Sequence, residues 1–464
     1  MGYVLINESI LSSIGNILRS KLDVSSTFTP IEFINGINNI DTMWIDIAHN
    51  TIKSEYNNIF SLYESTFYSN QNLTSIALPN CSYIGSSAFY NCTNLSYVSI
   101  PNCISIGGSA FEWCTNLSYI SPMPNCSYIG SCAFSQCRNL DTIDIPNCIS
   151  IGQSAFIGCL KLNNILLPNC SYIGDAAFSN CSKLTSISIP NCSYIGSDAF
   201  CWCSSLSYIS IPSNCSYIGN AAFRYCSSLT NSCIQEILDN YKSYSTVINY
   251  GVFYGCICIT SLDLTGYTSI GSSAFCRCSN LTSINIPNCS YIGGGAFSSC
   301  FNLSYISPMP NCSYIGSWAF YSCSKLTNSN IQDILNTYKS YSTVINNTVF
   351  FGCSGITSLD LTGYTSIGNS AFAGCINLSY ISIPSCSHIG NNAFYGTKLE
   401  SIYVLSTSIP ILSNYNAFTN TPISNSTYLG YFGSIYVLSS LVDSFKTATN
   451  WSYYSSRITA YTGT

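Results

Sequence analysis

Between residues 73 and 396, apolar and polar positions alternate within a block of about 22 residues, close to LTSISIPNCSYIGSSAFSNCSN, that recurs along the chain. In each block the run L-x-x-I-x-I alternates and then meets Pro-Asn, the pattern of a short half-buried strand ended by a turn. In the block opening at Leu184, the pattern turns Leu184, Ile187 and Ile189 inward and Ser186 and Ser188 outward, and Pro190-Asn191 reverses the chain. Ser193-Tyr194-Ile195-Gly196 predicts a second extended piece, with Gly196 permitting a tight bend. Ser197-Asp198-Ala199-Phe200 reads as a helical turn whose Phe200 plugs the core. The phenylalanine of each AF pair marks the register, from Phe89, Phe111 and Phe134 to Phe394, mostly in steps of 22 or 23 residues. A fixed period of this size predicts a solenoid, whose units bury their apolar faces only against one another. Such a chain is an extended surface rather than a globule around a pocket, so binding comes before catalysis in reading its function.

Most of the 28 cysteines keep the same register. One column lies three residues after the AF phenylalanine, from Cys92 and Cys114 to Cys375; another follows the Pro-Asn turn, from Cys81 and Cys103 to Cys312, with Cys386 in an altered PSC version. In stacked coils such columns become ladders with a repeat of about 4.8 Å. Free cysteine behaves as a small buried hydrophobe, so reduced, buried thiols are expected rather than disulfides. Cys201/Cys203, Cys256/Cys258 and Cys276/Cys278 lack a second pair at zinc-site spacing, and no metal or cofactor is expected.

The recurring LxxIxIPNCxxIGxxAFxxC, which covers most of the chain, resembles the BspA-like class of leucine-rich repeats. The resemblance implies an α/β repeat fold, a right-handed leucine-rich-repeat solenoid of short strands and helical turns. It also implies a surface protein that binds host or matrix components. The chain departs from the pattern by placing Cys after Pro-Asn. Two near copies, LTNSCIQEILDNYKSYSTVINYGVFYGC and LTNSNIQDILNTYKSYSTVINNTVFFGC, lie 97 residues apart and stretch one step to 30 residues. Ile234, Ile237, Leu238 and Tyr241 share one helical face, predicting a short helix across the coil. The expected organisation is a helical N-terminal attachment module at 1–42, a cap or linker at 43–72 and the solenoid at 73–400. Helical insertions fall at 229–253 and 326–350, and a C-terminal cap at 401–464. In that cap Leu441, Phe445 and Trp451 are expected to form the apolar face of a closing helix.

Ile10, Ile14, Ile17 and Leu18 stand at helical spacing, and Thr29-Pro30 with Glu32 opens a second short helix. This segment resembles a small helical module, ESxLxxIAxAIRxKxG…xxPxEMxxxI, found at the front of phage tail and related structural proteins. That resemblance implies docking to a virion or tail subunit. Residues 1–23 include Glu8 and lack a basic start, unlike a secretory signal. No apolar run reaches the roughly 18 residues of a membrane span, so no membrane insertion is expected.

Only 7% of residues are charged, and the net charge of −5 includes no basic run, which argues against a nucleic-acid partner. His49 and His388 stand in unrelated contexts, no G-x-S-x-G elbow occurs, and Asp263 and Asp360 are equivalent positions of duplicated blocks. The expectation is therefore non-enzymatic. The outward strand positions carry Tyr97, Tyr119, Tyr208, Tyr305 and Tyr380 beside Asp144, Asp263 and Asp360, the candidate ligand-binding residues. A second stripe runs through Tyr83, Tyr128, Tyr172, Tyr194, Tyr217, Tyr291 and Tyr314. Tyrosine gives large contact area for little lost rotamer freedom, and sugar rings stack on it while their hydroxyls bond to Ser and Asn. The expected function is adhesion or receptor binding by a phage tail or tail-fibre component, with a host-surface glycan or protein as partner. A microbial cell-surface adhesin and an intracellular interaction scaffold are the alternatives. Low charge and a long aromatic surface favour self-association into a homo-oligomer.

Overall fold

The computed structural model describes residues 60–424 and 432–463, and the backbone of the short strands Ile45–Asp46 and Thr51–Ile52. The helical module expected at 1–42 lies outside the described residues. The chain forms two compact units, Met1–Gly219 and Asn220–Thr464. Within each, a coil has three sides: a front strand, a side strand and a loop.

The front strands are the predicted L-x-x-I-x-I runs. In the first unit Ser75–Ala77, Tyr97–Ser99 and Tyr119–Ile120 make one parallel sheet, and Thr142–Ile143, Asn164–Leu166, Ser186–Ser188 and Tyr208–Ser210 another. Register is residue for residue, Ser186 beside Tyr208 and Ile187 beside Ile209. Ile187 is buried between the outward Ser186 and Ser188, as the alternation requires. The side strands of that unit form one eight-stranded parallel sheet, from Ser61–Leu62 to Tyr217–Ile218. At the turn between the two rows, asparagine amides tie successive coils: Asn147 donates to the carbonyl of Pro124 at 2.8 Å and Asn191 to that of Pro168 at 2.6 Å.

Gly196 has a different task from the tight bend expected of it. A Cβ there would sit 2.5 Å from the backbone nitrogen of Asp175 in the preceding coil, and one on Gly152 would sit 2.6 Å from that of Ser131. Close approach of neighbouring backbones, rather than chain reversal, requires glycine at this column.

The loop also corrects an expectation. Ser197 to Phe200 is not a helical turn, because Asp198 has φ +54° and Trp202 φ +64°. Left-handed residues recur two before and two after each core phenylalanine from Phe67 to Phe394, as at Ser87 and Asn91, or Ser109 and Trp113. Alternating them with right-handed residues points every second amide the same way. Ser87, Phe89 and Asn91 donate to the carbonyls of Gly108, Ala110 and Glu112 in the next coil at 2.7–2.8 Å. The intervening Ala88, Tyr90 and Cys92 amides close turns three residues back. The amides from Ser87 to Cys92 are therefore all paired without a helix.

The core is a phenylalanine stack with thiols beside it. In the first unit the rings from Phe67 through Phe200 lie 4.9–5.5 Å apart and nearly parallel. In the second, those from Phe223 through Phe418 lie 5.6–5.8 Å apart. Every ring from Phe89 onward is excluded from water, while Phe67 is half-buried, and burial of a phenylalanine stabilises by about 1.5–3 kcal/mol. The cysteine three residues later donates its thiol to the phenylalanine carbonyl of the preceding coil, as Cys114 does to Phe89 at 3.0 Å and Cys181 to Phe156 at 3.2 Å. The second column bonds within its own coil, Cys192 to the carbonyl of Tyr194 at 3.2 Å. Burial raises the pKa of these thiols, to about 11 for Cys126 and Cys170. Cys258 is exposed and Cys132 half-buried, while the rest are buried.

Coils continue on both sides of residues 73–400. Ser61–Leu62 pairs with Tyr83–Ile84, and Phe418 stacks on Phe394. The insertions form α1 (Asn231–Tyr241) and α2 (Asn328–Tyr338), each capped by a threonine, Thr230 or Thr327. Ile234, Ile237, Leu238 and Tyr241 are the buried face of α1 together with Cys233. At the C-terminal end Phe445 on α3 (Val442–Thr447) and Trp451 in the following 3-10 helix are buried against each other, whereas Leu441 is half-exposed.

Candidate ligand-binding surface

The front rows present the predicted residues outward, in several separate sheets. Tyr97 and Tyr119 are 42% and 44% exposed, and their rings stack 4.9 Å apart at 9°. The first unit's other front sheet holds Tyr208, with Asp144 exposed just past its edge strand. In the second unit Asp263 and Tyr305 belong to the sheet of Ser261–Asp263, Ser283–Asn285 and Tyr305–Ile306. Asp360 and Tyr380 belong to the five-stranded sheet that begins at Ser358–Asp360. The Tyr97–Tyr119 pair is thus brought together, and the other candidates are distributed along the rows.

The two aspartates after the insertions are engaged by their own turns. The Asp263 carboxylate accepts the amide and hydroxyl of Thr265 at 3.0 and 2.6 Å and the amide of Asn285 at 2.9 Å. The Thr265 hydroxyl, ahead of the other contacts, holds its pKa below the usual carboxylate range. Asp360 accepts Thr362 in the same way. Their backbones are held by the inserted helices. The Gln235 side chain donates to the Asp263 carbonyl and accepts its amide, both at 2.9 Å, and Gln332 does the same for Asp360. The helical glutamine replaces a neighbouring strand and covers the sheet edge.

The second tyrosine stripe is both exposed and self-stacked. Tyr172, Tyr194 and Tyr217 stack at 4.8 Å, and Tyr291 and Tyr314 at 4.7 Å. His388 lies between the hydroxyls of Ser366 and Ser413 at 3.4 and 2.9 Å. Among the described residues no group of three His, Cys, Asp or Glu side chains could hold a metal ion, and no helix is long and apolar enough to cross a membrane.

The loop sides carry exposed residues that the sequence reading did not single out. Trp113, Trp202 and Trp318 are 38%, 51% and 50% exposed, and all three occupy left-handed positions that Ser, Asn or Gly fill in other coils. In the second unit Trp318 stands 5.2 Å from Tyr321, which stacks on Phe351 at 4.9 Å. Only the loop conformation shows that these side chains point outward.

Short parallel strands in register around a phenylalanine core define a leucine-rich-repeat solenoid. The family model of the BspA type leucine rich repeat region (6 copies) matches residues 44–159, 149–247, 246–342 and 343–436, and the chain belongs to that family. Among solved structures, the chain is similar to a leucine-rich repeat protein from Bacteroides ovatus, at 24% identity over 76% of this chain and 89% of that one, with a TM-score of 0.47. It is also similar to a leucine rich cell surface protein from Faecalibacterium prausnitzii, at 24% identity over 85% of each chain and a TM-score of 0.36. A third is the T. pallidum leucine rich repeat protein, at 25% identity over 37% of this chain and 82% of that one, with a TM-score of 0.32. No curated protein matches the chain.

Proposed function

We propose that the protein is a non-enzymatic adhesion or receptor-binding protein whose front rows engage a host-surface glycan or protein. The stacked, half-exposed Tyr97–Tyr119 pair carries this reading, because it is a rigid aromatic platform with little rotamer freedom left to lose. Membership in the BspA-type family supports an interaction role. Residues 1–42, which resemble the front module of phage tail proteins, would attach the solenoid to a virion or tail subunit. Family membership favours a second reading of location, a microbial cell surface. Immunogold labelling separates the two, on tail particles in one case and on cell envelopes in the other. A glycan array and host-envelope pull-downs test the binding itself. Replacing Tyr97 and Tyr119 together by Ala should weaken it about tenfold. Absence of binding to either target at high protein concentration would leave the intracellular scaffold.

A further inference from the structure

The two units differ in the charge of their loop sides. In the first unit the loop segments around the core phenylalanines carry Glu64, Glu112, Asp175 and Asp198, and one arginine, Arg138, follows them directly, 5.6 Å over the Trp113 ring. In the second, the corresponding segments from Asn220 to Asn420 carry no Asp or Glu and two arginines, Arg224 and Arg277. The coil order brings these two to one aromatic side chain. The guanidinium carbon of Arg224 lies 4.8 Å from the centre of the Tyr254 ring and 5.4 Å from that of Tyr225, and that of Arg277 lies 5.8 Å from Tyr254. The Tyr225 and Tyr254 rings meet edge to face, their centres 5.1 Å apart. Tyr250, in the coil of Tyr254, is 51% exposed.

Ring faces attract the two cations but satisfy none of their in-plane donors. Arg224 Nε is buried with no hydrogen-bond partner. Among the described residues neither arginine has a carboxylate within ion-pair distance. A guanidinium presents five donors in a planar fork suited to an oxoanion, and an unpaired buried donor costs about 1–3 kcal/mol. Two such forks stand around tyrosine rings, with no Asp or Glu in the loop segments beside them, and offer their in-plane donors to an oxoanion.

We infer that Arg224, Tyr225, Tyr254 and Arg277 form a binding site for an acidic glycan, in which a carboxylate or sulfate group pairs with the arginines and the sugar ring packs on tyrosine. The site lies on a different side of the coil from the front rows and takes a different ligand chemistry, so it stands or falls independently of the adhesion reading. Two arginines are too few for a nucleic-acid track.

The test uses the full chain in solution against four probes: heparin, polygalacturonate, neutral dextran and inorganic sulfate. The expected result is binding to heparin or polygalacturonate, none to dextran, and at most weak binding of free sulfate. The preferred polymer identifies sulfate ester or carboxylate as the partner. Affinity should fall about tenfold or more between about 50 and about 300 mM NaCl. Arg224→Gln and Arg277→Gln should each weaken it about tenfold, while Tyr97→Ala leaves it unchanged. Arg277 is exposed, so its variant keeps the test informative if loss of Arg224 disturbs folding. Equal binding of dextran and the charged polymers, no binding of either charged polymer, or full affinity in Arg277→Gln would overturn the proposal.

Discussion

In the coil opening at Leu184, Cys192 follows the Pro-Asn turn; in the coil opening at Ile259, Tyr267 stands at the same place. Both amides close the same turn, Cys192 to Ile189 at 3.1 Å and Tyr267 to Leu264 at 3.0 Å, and both side chains are buried. One is a thiol, the other a phenol of far greater volume. The difference is accounted for by α1, which packs outside the second coil. The Tyr267 hydroxyl donates to the carbonyl of Leu238 on that helix at 2.8 Å, and Tyr364 repeats the arrangement with Leu335 on α2 at 2.8 Å. Turn and side chain change together: Gly266 and Gly363 replace the asparagine and adopt φ +100° and +98°, which side chains strongly disfavour. A repeat position is thus defined by what lies outside it as much as by its place in the period.

The largest test of this comparison addresses the thiol column to which Cys192 belongs and which Tyr267 interrupts. Burial raises the cysteine pKa from its ordinary value of 9.0 to about 11 at Cys126, Cys170 and Cys215. The folded chain therefore holds protons that the unfolded chain releases. Stability from this source is complete below pH 9 and is lost as pH rises through about 11. Denaturant midpoints measured at intervals from pH 7 to pH 11 should be level at first and then fall steeply. A flat profile would mean that the thiols are not buried in their neutral form.

Exchanging the two residues tests the difference itself. Cys192→Tyr places a phenol where no helix makes room or accepts its proton, and should cost about 4 kcal/mol from overpacking and a stranded hydroxyl. Tyr267→Cys leaves a cavity beneath α1 and should cost about 3 kcal/mol. Urea melts of both variants measure these losses, and a well-tolerated Cys192→Tyr would show that the helix is not what selects tyrosine. The finest probe is Tyr267→Phe, which removes only the bond to Leu238 and should cost about 1 kcal/mol. Amide exchange should then increase in α1 ahead of the flanking coils.

Much of the coil was legible because alternation fixes which strand residues are buried. Ile187 and Ile189 inward, Tyr97 and Tyr119 outward, and the α1 face of Ile234, Ile237, Leu238 and Tyr241 all follow from period alone. The loop conformation was hidden because its left-handed sites do not restrict residue type: Ser87, Asn91, Trp113, Gln136 and Arg277 all occupy them. The role of Gly196 was hidden because the clash that forbids a side chain comes from a coil 22 residues earlier, at Asp175 and Gly174. On the surface, the tyrosine rows could be read from spacing. The meeting of Arg224, Tyr254 and Arg277 could not, since the three come from successive coils and match no repeated motif.

The loop amides have one more consequence. Within each unit every second one aims toward the next coil, so their dipoles add as those of a helix do, whereas the dipoles of a sheet largely offset one another. A stack built this way has unlike poles, its loop carbonyls facing earlier coils and its loop amides facing later ones. Its two faces are not equivalent as seeds: a fresh turn could be templated onto either one only in a single polarity, so head-to-head joining of two copies through their loops is forbidden.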